Sequence, residues 1–189
     1  MFSLSQRLAR VAASGAAAFA LATASLGAQG RPTVGVFGGA SFPTGDLAKN
    51  FDTGYDVGAF IGFKPSLSPV GLRIEGAYNR FDISGGADVH VNILSGTANI
   101  VLQGSGMPGA VRPYFIGGIG VYGSKDVVQG QSSASDTKFG VNGGAGLDIG
   151  LSGLGVFIEA RYHYVFNKDN EVANSSNTAF VPVVVGVRF

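Results

Sequence analysis

Hydrophobic positions alternate with polar or glycine positions along eight segments that follow the first thirty residues of this chain. These segments span residues 31–40, 54–64, 70–82, 89–102, 112–123, 138–151, 154–166 and 178–189. Gly, Pro, Asn, Asp and Ser separate them, and a period of two with such breaks predicts β-strands joined by turns. The 31 glycines disfavour long helices. We therefore expect an all-β fold of eight strands.

The two phases of these strands differ in polarity. In segment 70–82, Leu72 lies on an apolar phase, opposite Arg73 and Glu75. Segment 112–123 is apolar on both phases, so its orientation stays open. Eight solvent-facing strand faces would ordinarily carry more Lys, Glu and Thr than this chain offers. We therefore expect the apolar faces to point to lipid and the polar phase to line a narrow lumen.

The connections between the segments alternate in length. Short pieces such as "PSLSP" and "SG" alternate with longer ones such as "SKDVVQGQSSASDT" and "NKDNEVANSSN". Outer-membrane barrels have short periplasmic turns and longer external loops, and closure leaves no unpaired strand edge in lipid. The predicted fold class is all-β, an eight-stranded antiparallel up-and-down transmembrane β-barrel.

The N-terminal residues have the order of a secretory signal peptide. A basic start, "MFSLSQRLAR", precedes an Ala-rich apolar run and small residues that allow cleavage after Ala24 or Ala28. The apolar run is shorter than the roughly 20 residues that a spanning helix needs. We expect a signal peptide over residues 1–28 and a barrel domain over residues 29–189.

The charge balance excludes one class of partner. The chain has 13 Lys+Arg and 12 Asp+Glu, and removing Arg7 and Arg10 leaves 11 against 12, a net charge of −1. No basic stripe remains, so nucleic acid is not an expected partner. Cysteine is absent, so hydrogen bonds and packing alone must hold the exported chain.

Several segments resemble those of known outer-membrane barrels. "RPYFIGGIGVYG", "GVNGGAGLDIGL" and "VFIEARYHYVF" are similar to the strands of OmpA/OmpX-like and opacity-type barrels. The alternating apolar end of the chain resembles the signal that the outer-membrane barrel assembly machinery reads. That end comprises Val181, Val183, Val185, Val187 and Phe189. Pro182 departs from the pattern because it cannot donate a ladder hydrogen bond, so we expect a local bulge or register irregularity there.

The resemblance implies a location and a set of partners. We expect export to the periplasm and residence as a monomer in the bacterial outer membrane, among its lipid and lipopolysaccharide. The implied assembly partners are the barrel assembly machinery and periplasmic chaperones. The external loops are expected to meet a host or surface ligand. Arg80, on the lipid phase at the outer end of its strand, is expected to meet lipopolysaccharide phosphates.

The polar phase predicts a network inside the barrel. Four basic residues meet four acidic ones there, and an eight-stranded barrel is only wide enough for side chains to fill. We therefore expect ion pairs to plug the lumen, with arginines spanning between the third and seventh strands. The predicted network comprises Asp56, Lys64, Arg73, Glu75, Asn79, Asn142, Asp148, Glu159, Arg161, His163 and Arg188.

No motif in the chain predicts catalysis, a cofactor or a metal site. "GIGVYG" matches G-x-G-x-x-G, but a loop follows it where a dinucleotide site needs a helix. His90 and His163 have no nucleophile two residues on, unlike the His-x-Ser pair of lipid A deacylases. Residues 169–171 do not follow the calcium-loop spacing.

These observations predict a non-enzymatic outer-membrane protein with a structural, surface-interaction or adhesion role. Three alternatives remain open. They are an outer-membrane enzyme that acts on lipid A or surface peptides, a small porin, and a soluble periplasmic barrel that binds an apolar ligand.

Overall fold

The computed structural model describes residues 30–45, 47–49, 51–65, 68–82, 89–104, 111–128, 131–132, 136–151, 153–166 and 178–189. Its long strands are β1 (Gly30–Thr44), β2 (Gly54–Pro65), β3 (Val70–Asp82), β4 (Val89–Gln103), β5 (Val111–Val128), β6 (Asp136–Leu151), β7 (Leu154–Val165) and β8 (Thr178–Arg188). A 3-10 turn spans Leu47–Lys49, and a two-residue strand, Gln131–Ser132, pairs with the end of β5. Within the described ranges, no helix has the length and apolar character needed to cross a membrane.

The predicted eight-stranded antiparallel barrel is confirmed. Each strand pairs with its neighbour in the chain, and β8 pairs with β1 to close the sheet. The last residue belongs to this closing ladder. The Phe189 N–H donates to the Val34 carbonyl at 2.8 Å, and the Val34 N–H donates to the Phe189 carbonyl at 3.2 Å. The chain therefore ends inside the sheet, where both backbone groups of its last residue are satisfied.

The bulge expected at Pro182 is absent, so that expectation is wrong. Pro182 lies opposite Ser41 in an unbroken β1–β8 register. On the other side, the β7–β8 ladder passes from the pair Ala160–Val183 to the pair His163–Phe180, with the same offset before and after the gap. Because proline has no N–H to donate, the β7–β8 ladder is interrupted locally, but no extra residue is inserted and the register is kept.

The outer face of the barrel is apolar. Ile61, Leu94, Phe115 and Ile119 are each more than 60% exposed there. Phe115 and Ile119 also settle the orientation of β5, because Tyr114 and Tyr122 on the opposite phase are buried. Exposed apolar side chains on every strand are unfavourable in water and favourable in hydrocarbon.

Aromatic rings fill much of the lumen, which is less polar than the alternation predicts. One buried cluster contains Phe37, Phe60 and Phe157. Each of these rings lies beside a glycine on a neighbouring strand, and a Cβ added at Gly58 or Gly186 would overlap the ring of Phe37 or Phe157. Lumen glycines therefore make space for large rings in a narrow interior.

Two groups of predicted positions lie outside the described residues. The first is the signal peptide with its cleavage positions after Ala24 and Ala28. The second is the acidic stretch 169–171, which was considered for calcium.

Candidate functional site

Two arginines and two glutamates cross the lumen from opposite walls. We call Arg73 and Glu75 of β3 with Glu159 and Arg161 of β7 the arginine–glutamate ring. Arg73 Nη2 lies 2.6 Å from Glu75 Oε2, and Arg73 Nη1 lies 2.8 Å from Glu159 Oε2. Arg161 Nε lies 2.7 Å from Glu159 Oε1, and Arg161 Nη2 pairs with Glu75 Oε1. Each carboxylate thus contacts both guanidinium groups, and the four charges sum to zero.

The ring is closed off from solvent. All four of its residues are no more than 5% exposed. The Tyr114 hydroxyl donates to Glu159 Oε2 at 2.6 Å, and the Arg73 guanidinium carbon lies 3.9 Å from the centroid of the Phe60 ring. Buried charges are tolerated when they are paired, and the ring meets that condition by charge balance and by contact with an aromatic face. Its hydrogen bonding is incomplete, because Arg73 Nε and Arg161 Nη1 have no hydrogen-bond partner among the described residues.

Amide and hydroxyl side chains, together with Asp56, form a second layer. Asn142 Nδ2 donates to Asn99 Oδ1 at 2.9 Å, and Asn99 Nδ2 donates to the Thr97 hydroxyl at 2.9 Å. Asp56 and Asn79, which are paired across β2 and β3, are each 2% exposed. Among the described residues, the Oδ1 atoms of Asp56 and Asn79 have no hydrogen-bond partner.

An apolar cluster fills the end of the lumen farthest from Phe189. It contains Phe81, Ile93, Tyr122, Val165 and Phe180, with Leu47, Phe51 and Val91 packed against it. His163 lies at its edge, where its ring stacks on Phe180 at 4.9 Å. The Tyr122 hydroxyl and His163 Nδ1 lie 2.9 Å apart in a hydrogen bond. His163 is thus enclosed among rings, with 4% of its surface exposed.

The opposite end of the lumen, beside Phe189, opens into a cavity of 290 Å³ that we call the basic vestibule. Asp148 accepts a hydrogen bond from Arg112 Nη2 at 3.0 Å and two from Arg188, at 2.5 Å and 2.8 Å. Lys64 Nζ donates to Gln103 Oε1 at 2.7 Å. The vestibule therefore contains three basic groups and one carboxylate outside the arginine–glutamate ring.

The structure places the predicted polar residues in three separate lumen layers. The ring holds Arg73, Glu75, Glu159 and Arg161. The part of the lumen on the side of the ring away from Phe189 holds Asp56, Asn79, Asn142 and His163. The vestibule holds Lys64, Asp148 and Arg188. Sequence reasoning missed Arg112 and Tyr114 because segment 112–123 could not be oriented. It missed Thr97 and Asn99 because no residue of segment 89–102 was assigned to the lumen. The charge of Arg112 was the available signal, since a guanidinium favours the lumen phase over the lipid phase.

The outer surface carries polar groups at the end of β3 farthest from Phe189. Arg80 Nε lies 3.2 Å from Asp82 Oδ1, and the Tyr78 hydroxyl donates to Asn92 Oδ1 at 2.8 Å. Tyr55 lies against Tyr78 with ring centroids 6.1 Å apart. Aromatic and charged side chains at such a rim are typical of the boundary between hydrocarbon and headgroups.

Known structures share this architecture. The structure of Neisserial surface protein A is similar over 83% of this chain and 95% of that chain, with 17% identity and a TM-score of 0.65. Ail, the attachment invasion locus protein of Yersinia pestis, matches over 85% and 99%, with 23% identity and a TM-score of 0.51. The outer-membrane enzyme PagL matches over 84% and 99%, with 16% identity and a TM-score of 0.52. At these identities the likeness shows the fold alone.

A sequence search of curated proteins gives no match. The family described as "Outer membrane protein beta-barrel domain" matches residues 10–189, which include every strand described above. With a closed eight-stranded barrel, an apolar outer face and this match, the chain belongs to the family of outer-membrane protein β-barrel domains of bacteria.

Proposed function

We propose that this protein is a non-enzymatic outer-membrane barrel that acts at the cell surface, in membrane integrity, surface contact or adhesion. The arginine–glutamate ring carries the proposal, because it bridges β3 and β7 across the lumen and leaves the loops as the parts free to interact. A water-filled channel ordinarily needs a barrel of about 16 strands or more. Here an interior of eight strands contains rings, paired charges and an apolar cluster.

Planar-bilayer recordings test the closed lumen. We expect the purified wild-type barrel to give no large, stable conductance step. The variant Glu75→Ala/Glu159→Ala removes both carboxylates of the ring while the outer apolar cluster stays in place, and the outer-surface variant Arg80→Gln is the matched control. A stable large conductance in the wild type would overturn the proposal and favour the small-porin alternative.

The surroundings of the two histidines support a non-enzymatic role over an enzyme of lipid A or surface peptides. The contacts of His163 in the described structure are with Tyr122 and Phe180, in a space that a bulky lipid cannot enter. His90 lies opposite Asp82 at the outer end of β4, with Asn92 two residues on, where a His-x-Ser pair would need a serine. Mass spectrometry of lipid A from cells with and without the protein is expected to give identical spectra. Loss of an acyl chain only in the expressing cells would establish the enzyme.

The orientation of the barrel is part of the proposal. The long connections are placed outside the cell and the end that carries Phe189 in the periplasm, as in other outer-membrane barrels. A tag inserted between Gln129 and Ser135 is expected to be reachable by antibody on intact cells, and a tag at Ser66 only after lysis. The reverse pattern would contradict this orientation.

The rim of Tyr55, Tyr78, Arg80 and Asn92 is proposed to contact lipopolysaccharide. Its rings face the lipid side, and the Arg80 side chain is 35% exposed beside Asp82. A guanidinium group pairs well with phosphate. Co-purification of lipopolysaccharide is expected to fall for Arg80→Gln and to stay unchanged for Arg112→Gln, which lies inside the opposite end of the barrel. Equal amounts in both variants would exclude a role for Arg80.

Phe189 is proposed to be read by the barrel assembly machinery. Its ring is 64% exposed on the outer face, while its backbone completes the ladder with Val34. Phe189→Ser keeps the backbone pairing and removes only the ring, so it separates recognition from closure of the sheet. We expect lower outer-membrane levels and more periplasmic degradation, measured by fractionation and immunoblotting. Wild-type levels in the membrane would show that the ring is not read.

A further inference from the structure

Three basic side chains from three strands converge on the basic vestibule. Lys64 comes from β2, Arg112 from β5 and Arg188 from β8. Arg112 and Arg188 both contact Asp148 Oδ1, at 3.0 Å and 2.8 Å, so their guanidinium groups approach a single point. Against three positive groups stands one carboxylate. The vestibule therefore has an excess of two positive charges, in contrast to the neutral ring next to it.

Glycines on the neighbouring strands allow these long side chains to lie flat along the wall. A Cβ at Gly71 would lie 3.4 Å from the Lys64 Cβ, and one at Gly150 would lie 3.1 Å from Arg112 Nη2. A Cβ at Gly155 would lie 2.5 Å from Arg188 Nε, too close to be accommodated without movement. The side chains are thus held along the periphery, and the space between them stays open.

The vestibule is closed at its inner end. Its lining includes Arg73 of the arginine–glutamate ring and the neighbouring rings of Phe60, Tyr114 and Phe157. Its 290 Å³ is several times the roughly 30 Å³ that one water molecule occupies in the liquid. The cavity is therefore a blind pocket with a basic wall, large enough for a small polyatomic ion and continuous with the solvent at the end that carries Phe189.

We infer that the basic vestibule is a binding site for a small soluble oxyanion of the phosphate class. Guanidinium groups match the oxygen geometry of phosphate, and Lys64 adds a point charge. The basic groups point into the lumen and not toward lipid, so a dissolved anion reaches them and a phospholipid headgroup in the surrounding leaflet does not. This inference goes beyond the proposed surface role, and it is independent of which end of the barrel faces the periplasm.

Calorimetric titration of the folded barrel in a zwitterionic detergent tests the site with inorganic phosphate. A titration with sodium chloride at the same ionic strength measures the heat that comes from electrostatic screening alone. The variants are Lys64→Gln and Arg112→Gln, with Lys49→Gln, in the 3-10 turn at the opposite end of the barrel, as a control of equal charge change. A heat-dependent gel shift verifies that each variant is folded.

We expect saturable phosphate binding in the wild type and in Lys49→Gln, and binding about tenfold or more weaker in each vestibule variant. Amide chemical shifts of Gly71, Gly150 and Gly155 are expected to move with phosphate, while that of Gly45 at the other end stays fixed. This second measurement uses the wild-type protein alone, so it holds even if a variant fails to fold. Absence of saturation, an equal response to chloride, or equal binding by all variants would overturn the inference. None of these results bears on whether the lumen conducts ions.

Discussion

The arginine–glutamate ring and the basic vestibule contain the same kinds of side chain in different proportions. In the ring, two guanidinium groups meet two carboxylates, and no member is more than 5% exposed. In the vestibule, Arg112 and Arg188 share Asp148 while Lys64 donates to Gln103, and the side chains of Arg112 and Arg188 are 40% and 29% exposed. The two regions adjoin, because Arg73 of the ring also lines the vestibule.

The comparison shows how position along a narrow barrel sets the role of a charge. Water cannot solvate the ring, so every charge there requires a partner, and the balance is complete. At the mouth, solvent stabilises unpaired charge and the desolvation penalty is small, so an excess can remain. In this barrel, a cluster with balanced charge has a structural role, and a cluster with excess charge is a surface available to a ligand.

The largest effect is expected from breaking the ring. Glu159→Ala removes a partner from both Arg73 and Arg161 and leaves buried positive charge, a loss of about 3–5 kcal/mol of unfolding free energy. Urea unfolding in lipid vesicles measures it. Glu159→Gln keeps the packing and serves as the matched variant, and Arg73→Met/Glu159→Gln is expected to cost less than the sum of the two single changes. Unchanged stability in Glu159→Ala would remove the distinction between the ring and the vestibule.

An intermediate effect is expected from overfilling the aromatic wall beside the ring. Gly58→Ala adds a methyl group that overlaps the Phe37 ring, which lies 5.8 Å from the Arg73 guanidinium carbon. Overpacking of this kind costs roughly 1–3 kcal/mol. Gly76→Ala is the control, since its nearest heavy atom would be 4.0 Å away on the outer face. If both variants unfold at the same urea concentration, the lumen is less tightly packed around the ring than the structure shows.

The smallest change in stability is expected at the vestibule. Asp148 is itself only 4% exposed, but Asp148→Asn keeps an oxygen that accepts from Arg112 and Arg188, whose side chains are partly solvated. The unfolding free energy should therefore fall by roughly 1 kcal/mol. The same change raises the net charge of the vestibule from +2 to +3. Phosphate affinity, measured by the titration described above, should therefore increase while stability hardly changes. A loss of stability as large as that of Glu159→Ala would show that the vestibule is a structural ion cluster like the ring.

Much of the barrel was predictable from local pattern. The bounds of β3 at Val70 and Asp82 agree with the predicted segment, because alternation starts and stops there sharply. β5 extends to Val128, five residues beyond its predicted end, because its outer part pairs with β4 through a stretch that looks like a loop in sequence. The bulge expected at Pro182 was wrong because the two neighbouring strands hold the register even where a donor is missing.

The candidate site was predictable in its membership and not in its grouping. The alternation of side chains along each strand assigns Arg73 and Glu159 to the interior, but it does not determine which charged residues contact each other. Arg73 contacts both Glu75, two residues away on its own strand, and Glu159 on the far wall. The vestibule partner Arg112 was missed because its strand is apolar on both phases.

The sequence by itself determined the number of strands and the inner and outer faces of those that alternate clearly, because both follow from the period-two repeat of a strand. Only the tertiary structure decided which charges form the neutral arginine–glutamate ring and which remain in excess at the vestibule. It also decided where a glycine leaves space for an aromatic side chain. Those outcomes depend on the relative height of residues on strands that are not neighbours. That height is set by the register of every ladder around the barrel, and no single segment contains it.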